Sequence, residues 1–380
     1  MHIRKPGRKL KIHLTDKEVN MKICEKLSGL NVPDVLSPFG EKITTAEEFE
    51  AVKPRIQKLL QEEEYGFIPA KPDSISVEIL SEDKKFCAAK ATLTKYNLTA
   101  KYGEESTSFV FYSTVPKVKT PKMPVFVHIN FSDAIPHKYQ PTEEIIDRGC
   151  AVFTVFYQDV STDNGDFENG CAKLLCPDRS DPHAPGKIAI WSWAIMRVID
   201  YVQTLDFYDP ETLAVIGHSR LGKTTLLTAA FDERVKFACV NNSGASGDAL
   251  SRGKVGEDIK AITERFPFWF CPNYLKYAGR ESDLPFDQHF LLSLVAPRHL
   301  LCGTAVEDTW ADPDSQYLAL TLTDEVYALY GSSGLIHGDD IAPCPSRLAE
   351  GDCCFHLREG SHYLGRYDWN SYIDFIKSKI

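Results

Sequence analysis

Apolar residues from Met123 onward form short unbroken runs rather than alternating with polar residues. Six runs have this character, and they occupy residues 125–129, 151–157, 213–216, 237–240, 299–302 and 353–357. Unbroken apolar runs of this kind are typical of strands that are buried on both faces, as the strands of parallel sheets are. The pattern therefore predicts a central parallel sheet in the C-terminal part of the chain.

Helical patterns separate these runs. Predicted helices cover residues 188–205, 221–231, a segment from Pro313 to near Gly331, and a terminal segment around 369–376. Alternating strands and helices predict a three-layer α/β sandwich, in which ligands bind beyond the carboxyl ends of the strands. The long irregular segments 161–187 and 248–284 are interpreted as loops or lids over such a site.

The N-terminal part of the chain has a different pattern. Residues 1–70 are charged and helix-prone, and Thr44 or Thr45 is a suitable cap for a helix that continues to Glu64. Short β-rich runs with turn-rich separators then predict an antiparallel start to the sheet. These runs occupy residues 74–80, 86–93 and 108–113. We expect residues 1–70 to form a helical accessory segment that packs on a single domain of residues 71–380.

Composition and charge restrict the classes of function. The 380 residues are 43% hydrophobic and 25% charged, as in an ordinary globular protein. With 43 basic against 53 acidic residues, the net charge is −10, which argues against a nucleic-acid partner. No window approaches the ~18 apolar residues of a membrane span, so no membrane partner is expected.

The N-terminal sequence and the cysteines indicate the cellular location of the protein and whether it binds a metal. The N-terminal sequence MHIRKPGRKLKIHL has no apolar run of the length that a signal peptide needs, so we expect a cytoplasmic protein. The eleven cysteines are scattered, and several lie inside apolar runs, as reduced core thiols do. Because there is neither a CxxC pair nor an HExxH motif, we expect no metal site and no cofactor.

A strand-to-helix turn with distinctive chemistry is predicted at residues 217–223, GHSRLGK. A serine at the apex of such a turn projects its hydroxyl above the sheet, and Gly217 and Gly222 are small enough for the turn to close. The next backbone N–H and the helix N-terminus then face the position of a tetrahedral oxyanion. Leu221 breaks the more common GxSxG pattern. Ser219 is therefore a candidate nucleophile, and the plainer interpretation makes it only the N-cap of the helix.

A serine hydroxyl requires a base, and hydrolases of this topology carry their remaining catalytic residues in the order Ser, Asp/Glu, His. Asp308 follows the strand run at 299–302, and we assign it as the acid, with Glu307 in reserve. Asp312 is interpreted instead as the N-cap of the helix that begins at Pro313.

His362 is the candidate base. It lies in the loop after the last strand run, 353–357, which is where this topology places the histidine. The other histidines considered fit less well, because His218 is expected to point away from the serine and His299 begins a strand as a packing residue.

The segment 217–223 and several later segments resemble those of a known family. The segment 217–223 is similar to the elbow of glucuronoyl esterases (carbohydrate esterase family 15) and their bacterial acetylxylan esterase-like relatives, whose usual form is Gly-Cys-Ser-Arg-x-Gly-Lys. The resemblance continues through residues 284–289 and 310–313 to the loop of His362, and it covers roughly residues 120–380. It implies an α/β-hydrolase fold with a mostly parallel sheet and a catalytic domain at 71–380.

The resemblance also implies roles for further residues. Arg220 would stabilise the oxyanion through its backbone N–H and guanidinium, Lys223 would bind sugar hydroxyls or the uronate ring, and Trp310 would form a sugar platform. Glu257 and Trp269 would contact sugar as well. Each of the first three has a plain alternative: the arginine pairs with a carboxylate, the lysine is a solvated helix residue, and the tryptophan fills the core.

The sequence departs from the family in two places. His218 stands where the family has cysteine, and the segment after the next strand, 241–244, reads Asn-Asn-Ser-Gly where many members carry a glutamate as the acid. The missing glutamate strengthens the assignment of Asp308. Asn130 or Phe131, after an earlier strand, is the candidate for a second oxyanion donor.

The preferred hypothesis is a serine carboxylesterase that hydrolyses a plant cell-wall carbohydrate ester, such as a 4-O-methyl-glucuronoyl ester, through an acyl-enzyme intermediate. Its partner would be a small-molecule or oligosaccharide ester. The alternatives are an acetylxylan or other acetyl esterase, a peptidase on the same fold, and a catalytically silent binding protein with this fold. Lys223 and Trp310 favour sugar over peptide.

Overall fold

The computed structural model of the protein describes residues 21–380. One sheet of ten strands runs through it, in the spatial order β1-β2-β3-β5-β4-β6-β7-β8-β10-β9. The strands are β1 (Ser74–Asp83), β2 (Ala91–Tyr102), β3 (Glu105–Pro116), β4 (Val125–Asn130), β5 (Ala151–Phe156), β6 (Leu213–His218), β7 (Phe237–Asn241), β8 (His299–Ala305), β9 (Ser346–Leu348) and β10 (Cys353–Arg358).

Helices and helical turns connect the strands. They are α1 (Ile23–Leu27), α2 (Ala46–Leu60), α3 (Phe86–Ala89), α4 (Thr142–Asp147), α5 (Tyr157–Val160), α6 (Ala172–Leu175), α7 (Lys187–Val202), α8 (Arg220–Phe231), α9 (Ile259–Arg265), α10 (Gln288–Ser293), α11 (Pro313–Thr321), α12 (Asp324–Leu329) and α13 (Arg366–Lys379).

Strand direction divides the sheet into two parts. The strands β1, β2, β3 and β5 pair antiparallel in that order, whereas the pairs from β5 through β4, β6, β7 and β8 to β10 are parallel. The short strand β9 pairs antiparallel with β10 at the far edge. The predicted parallel sheet with an antiparallel N-terminal part is therefore confirmed.

Each face of the parallel strands packs against its own helical layer. On β6, Val215 belongs to the core beneath α2, α7 and α8, whereas its neighbour Ile216 belongs to the core beneath α4 and α13. The first core contains the fully buried Trp191 and Trp193, and the second contains Trp369. Because successive strand residues point to opposite faces, two apolar layers require the unbroken apolar runs seen in the sequence. The result is the predicted three-layer sandwich.

The helix α2 begins at the predicted cap. Thr45 Oγ1 accepts the Glu48 N–H at 3.2 Å, and the Glu48 carboxylate accepts the Thr45 N–H at 3.2 Å, which completes a capping box. The helix continues as a π-helical turn, Gln61–Tyr65, and ends at Gly66, whose φ is 78°. Residues 1–20 of the predicted accessory segment lie outside the described residues, and the boundary at residue 70 stays a prediction.

Three predicted elements differ from the structure. The predicted strand 86–93 is wrong in its first half, because Cys87 and Ala88 have φ of 49° and 55° and form a turn before β2. The single helix predicted from Pro313 to Gly331 is two helices, α11 and α12, separated by Leu322 and Thr323. The predicted loop 248–284 contains the helix α9 and several 3₁₀ turns.

Residues 21–380 contain no membrane-spanning helix, no metal-binding cluster and no disulfide. In this part of the chain no helix has the length and apolar character needed to cross a membrane. The same residues place no group of three or more His, Cys, Asp or Glu side chains where it would hold a metal ion. All eleven cysteines are free thiols, and eight of them are buried, as expected for core thiols.

Candidate active site

Ser219 occupies a strained turn between β6 and α8. Its φ is 58° and its ψ is −129°, a conformation that non-glycine residues rarely adopt. Its side chain makes no capping hydrogen bond to the helix, so the interpretation as a simple N-cap is wrong. The backbone N–H of Ser219 donates to Asn241 O at 2.9 Å, which anchors the turn to the adjacent strand β7.

The glycines on either side of Ser219 are required by close packing. A Cβ atom added to Gly217 would lie 2.3 Å from the backbone oxygen of Leu221. A Cβ atom added to Gly222 would lie 2.9 Å from Ser243 Cβ. The tight turn predicted from the small residues is therefore present, and it holds the serine at the carboxyl edge of the sheet.

His362 and Asp308 form a hydrogen-bonded pair. His362 Nδ1 lies 2.6 Å from Asp308 Oδ2, and the two residues follow β10 and β8, which are adjacent in the sheet. The exposed neighbour Glu307 instead places its backbone N–H against Gly360 O. Asp312 caps α11 by accepting the Ser315 N–H at 3.2 Å, as predicted.

The environment of Asp308 favours its ionised form. Burial acts to raise its pKa, but the hydrogen bond and the charge of His362, together with a hydrogen bond from Asn242, hold the pKa of Asp308 below its ordinary value. Asn242 Nδ2 donates to Asp308 Oδ2 at 2.7 Å. Asn242 was missed as a site residue in the sequence, although it occupies the segment where the family carries an acid.

One cavity of about 360 Å³ brings the predicted residues together. It is lined by all eight of them: Ser219, Arg220, Lys223, Glu257, Trp269, Asp308, Trp310 and His362. Asn242, Ser243, Gly244, Arg265 and Phe266 contribute further to its wall. The residues come from the ends of the four strands β6, β7, β8 and β10 and from the segment 248–284.

Arg220 forms an ion pair and packs against aromatic rings. Its Nη1 donates to the carboxylate of Asp163, and its guanidinium carbon lies 4.6 Å from the centre of the Trp269 ring and 5.3 Å from that of Phe266. The alternative interpretation of Arg220, that its guanidinium pairs with a carboxylate, is therefore confirmed as a contact. The sequence does not indicate a role for Asp163, because residues 162–165, Thr-Asp-Asn-Gly, have the ordinary composition of a turn.

Lys223 is buried, with 3% of its surface exposed, so the interpretation as a solvated helix residue is wrong. Its Nζ donates to the backbone oxygens of Ser243 and Ala245. Burial lowers the pKa of Lys223, and the nearby carboxylates of Glu257 and Asp248 oppose that shift. The side-chain nitrogen of Lys223 is thus fixed in the wall of the cavity by two backbone oxygens.

Trp310 and Glu257 form the polar rim of the cavity. Trp310 is 47% exposed, so it does not fill the core, and its Nε1 donates to Glu257 Oε1 at 3.1 Å. Trp269 is buried and stacks on Phe266, with 3.9 Å between ring centres and an angle of 4° between the planes. The cavity therefore offers an exposed aromatic face beside hydrogen-bonding groups, an arrangement suited to a sugar ring.

His218, expected from the sequence to point away from Ser219, is a buried neighbour of His362. The centres of the two imidazole rings are 4.3 Å apart, and His218 Nδ1 lies 2.6 Å from Asn241 Oδ1. Burial, followed by the proximity of His362, lowers the pKa of His218 to about 3. His218 is therefore neutral at ordinary pH and packs against the ring of His362.

Two groups were predicted as second oxyanion donors. The Phe131 N–H donates to Asn130 Oδ1 at 2.8 Å, so this N–H already has an acceptor. Asn130 Nδ2 is buried and has no hydrogen-bond partner among the described residues. At the start of α8, the Gly222 and Lys223 N–H groups donate to Ser219 O at 2.8 Å and 3.2 Å, whereas the Arg220 and Leu221 N–H groups have no acceptor among the described residues. Assignment of the second donor stays a prediction.

The sheet, the strained serine after β6 and the histidine–aspartate pair after β10 and β8 define the class of the protein as an α/β hydrolase. The family model described as "Glucuronyl esterase, fungi" matches residues 98–331, and the chain belongs to this family. The family predicted from the sequence of the elbow is thereby confirmed.

Individual relatives agree with this assignment. Carbohydrate esterase MZ0003 from an unknown prokaryotic organism is 39% identical over 236 residues, which span 61% of this chain and 54% of that protein. A 4-O-methyl-glucuronoyl methylesterase of Podospora anserina is 26% identical over 339 residues, covering 84% of this chain and 66% of the relative. The solved glucuronoyl esterase of Solibacter usitatus superposes with a TM-score of 0.84 at 28% identity, covering 92% of this chain and 97% of that one. The chain thus matches about half of the length of MZ0003.

Proposed function

We propose that the protein is a serine carboxylesterase that hydrolyses glucuronoyl esters of plant cell-wall carbohydrate. The observation that carries the proposal is the contact of His362 with Asp308 in the same cavity as the strained Ser219. The relatives named 4-O-methyl-glucuronoyl methylesterase and glucuronoyl esterase support this substrate class.

In the proposed mechanism, Ser219 Oγ attacks the ester carbonyl and its proton passes to His362 Nε2. This nitrogen is available because Nδ1 is bonded to Asp308. The tetrahedral intermediate collapses, and the departing alcohol takes the proton, which leaves an acyl-serine. Water then attacks the acyl-serine with the same histidine as base, and the uronic acid leaves. Asp308 fixes the tautomer of His362 and stabilises its charged form.

Oxyanion stabilisation in this mechanism comes from the start of α8. The backbone N–H groups of Arg220 and Leu221 have no acceptor among the described residues, and the positive end of the helix dipole lies beside Ser219. The guanidinium of Arg220 lies on the same wall of the cavity, with its Nη1 bonded to Asp163. Groups that face the developing negative charge stabilise the transition state more than the ground state.

Substrate recognition is proposed for the cavity floor and rim. Lys223 supplies a fixed ammonium group and Glu257 a carboxylate for sugar hydroxyls, while Trp310 and Trp269 supply aromatic surface. Uronate sugars present hydroxyl groups around an apolar ring face, which fits this combination of groups. An acetyl group would use few of these contacts.

A substrate panel tests the proposal. Benzyl D-glucuronate, acetylated xylo-oligomers and a feruloylated sugar are compared for the wild type, Ser219→Ala and Lys223→Ala. We expect the wild type to prefer the glucuronate ester, Ser219→Ala to lose at least about 10³-fold in kcat, and Lys223→Ala to lose kcat/KM mainly on the uronate. Preference for the acetyl ester would favour the acetylxylan esterase alternative.

The alternative of a catalytically silent binding protein has a separate test. A fluorophosphonate probe should label wild-type protein at Ser219 and leave folded Ser219→Ala unlabelled. Unlabelled wild-type protein with no activity on the panel would favour a binding role.

Cytoplasmic location is kept as a proposal. The eleven free thiols support it, because unpaired cysteines are typical of a reducing compartment. Fractionation of the native host, followed by an esterase assay of each fraction, tests it. Activity found outside the cell would contradict it.

A further inference from the structure

Asp163 lies on the loop between α5 and α6 and joins three elements around the cavity. Its carboxylate accepts hydrogen bonds from Arg220 Nη1, from Trp269 Nε1 at 2.7 Å and from the Tyr157 hydroxyl at 3.1 Å. Its side chain is 10% exposed. Asp163 itself does not line the cavity, whereas Arg220 and Trp269 do.

The contacts of Asp163 fix the orientation of Arg220. The guanidinium is bonded to the carboxylate on one side and packed against the rings of Trp269 and Phe131, at 4.6 Å and 5.7 Å. Its Nε is buried and has no hydrogen-bond partner among the described residues. Asp163 therefore occupies one arm of the Arg220 guanidinium and compensates its charge. The guanidinium lies on the wall of the cavity that also carries Ser219.

This compensation matters because of the charge change in the proposed reaction. Hydrolysis converts a neutral ester into a carboxylate at the position that Ser219 attacks. An arginine with both arms available forms a two-bond ion pair with a carboxylate and binds it strongly. An arginine that is already paired has less attraction for the product, while its position beside the shorter-lived oxyanion is retained.

We propose that Asp163 is a positioning residue that sets the preference of the cavity between the neutral ester and its anionic product. It acts through Arg220: the ion pair orients the guanidinium and reduces its affinity for the released uronic acid. The inference rests on the proposed function, since it requires a uronate ester as substrate.

The test measures binding without turnover. In the Ser219→Ala background, the dissociation constants of D-glucuronate and of its methyl ester are determined by calorimetry, with and without Asp163→Asn. The asparagine keeps the shape of the side chain and an acceptor for Trp269 but removes the charge. We expect Asp163→Asn to tighten binding of the acid about fivefold and to change binding of the ester less than twofold.

Two controls separate this effect from a general change of structure. Asp166→Asn makes the same charge change on the same loop, but the half-buried Asp166 lies outside the cavity and its carboxylate bonds only to Glu168 and Asn169, so the ratio of the two dissociation constants should stay at its starting value. In an Arg220→Gln background, Asp163→Asn should no longer alter this ratio, because the residue through which it acts is absent.

Several outcomes would overturn the inference. Equal shifts for acid and ester, no shift for either, or the same shift in the Arg220→Gln background would each show that Asp163 does not act through the arginine. If both Asp163→Asn and Asp163→Ala fail to fold by circular dichroism, Asp163 is structural and the inference is wrong. Failure of both ligands to bind Ser219→Ala with Asp163 intact would instead reject the proposed function, and the inference with it.

Discussion

The pairing of His362 with Asp308 is the contact at the scale of single side chains on which the proposed chemistry depends. The carboxylate receives two donors, His362 Nδ1 at 2.6 Å and Asn242 Nδ2 at 2.7 Å, on the same oxygen. His218 packs on the other side of the imidazole and stays neutral. The proposed base is thus held by the Asp308 carboxylate, which Asn242 holds in turn, and by the ring of His218.

Replacing the acid tests this arrangement. Asp308→Asn should lower kcat by about 10²- to 10⁴-fold and leave KM nearly unchanged, because the wrong tautomer of His362 affects the transition state rather than substrate binding. Steady-state kinetics on benzyl D-glucuronate measure both constants. Glu307→Gln is the matched control, and its kcat should equal that of the wild type. A large loss in the control would move the catalytic acid to Glu307.

At the scale of secondary-structure elements, the turn between β6 and α8 has no room for larger residues. Gly217→Ala should destabilise the protein by about 2–4 kcal/mol and abolish the esterase activity, because the added Cβ would lie 2.3 Å from a backbone oxygen that is fixed in α8. Urea unfolding and the esterase assay measure the two effects. Gly165→Ala is the control, since nothing lies within 4 Å of its added Cβ. Wild-type activity in Gly217→Ala would show that the turn relaxes freely.

The elements also show why some features were readable from the sequence. The apolar runs identified the parallel strands because burial on both faces removes the alternation of apolar and polar positions, although the buried His128, Thr154 and His356 lie within these runs. Phe86–Ala89 is equally apolar but forms a turn with positive φ, which composition does not encode. Asp163 and Asn242 escaped prediction because their roles depend on contacts with Arg220 and Asp308, which are distant in the chain and adjacent only after the sheet forms.

At the scale of the whole molecule, Glu64 connects the N-terminal helix to the wall of the catalytic domain. It lies on the π-helical turn after α2, is fully buried, and accepts two hydrogen bonds from Gln288 Nε2, at 3.1 Å and 3.0 Å. Burial, reinforced by the charge of Asp287, raises the pKa of Glu64 to about 7, although the bonds from Gln288 oppose this shift. A group with a raised acid pKa links stability to pH.

The sign of this linkage follows from the two states of the protein. Between about pH 4.5 and pH 7 the unfolded chain releases the Glu64 proton while the folded protein keeps it, so the free energy of unfolding falls as pH rises. The contribution of Glu64 to the free energy of unfolding is at most about 3 kcal/mol.

Glu64→Gln should therefore lose less stability than the wild type between pH 5 and pH 8, measured by urea unfolding. Glu62→Gln, a more exposed neighbour, should behave as the wild type, and equal pH dependence in Glu64→Gln would contradict the raised pKa.

The sheet and the segment 248–284 supply different groups to the cavity, and this has a practical consequence for protein engineering. Ser219, Asp308 and His362 follow strands of the sheet, whereas Glu257 and Arg265 line the cavity from that segment, which contains no strand. Libraries randomised at these segment positions would vary the sugar-facing surface while the strand-borne groups keep their spacing. Selection for new ester substrates can therefore begin from this scaffold with the hydrolytic machinery held constant.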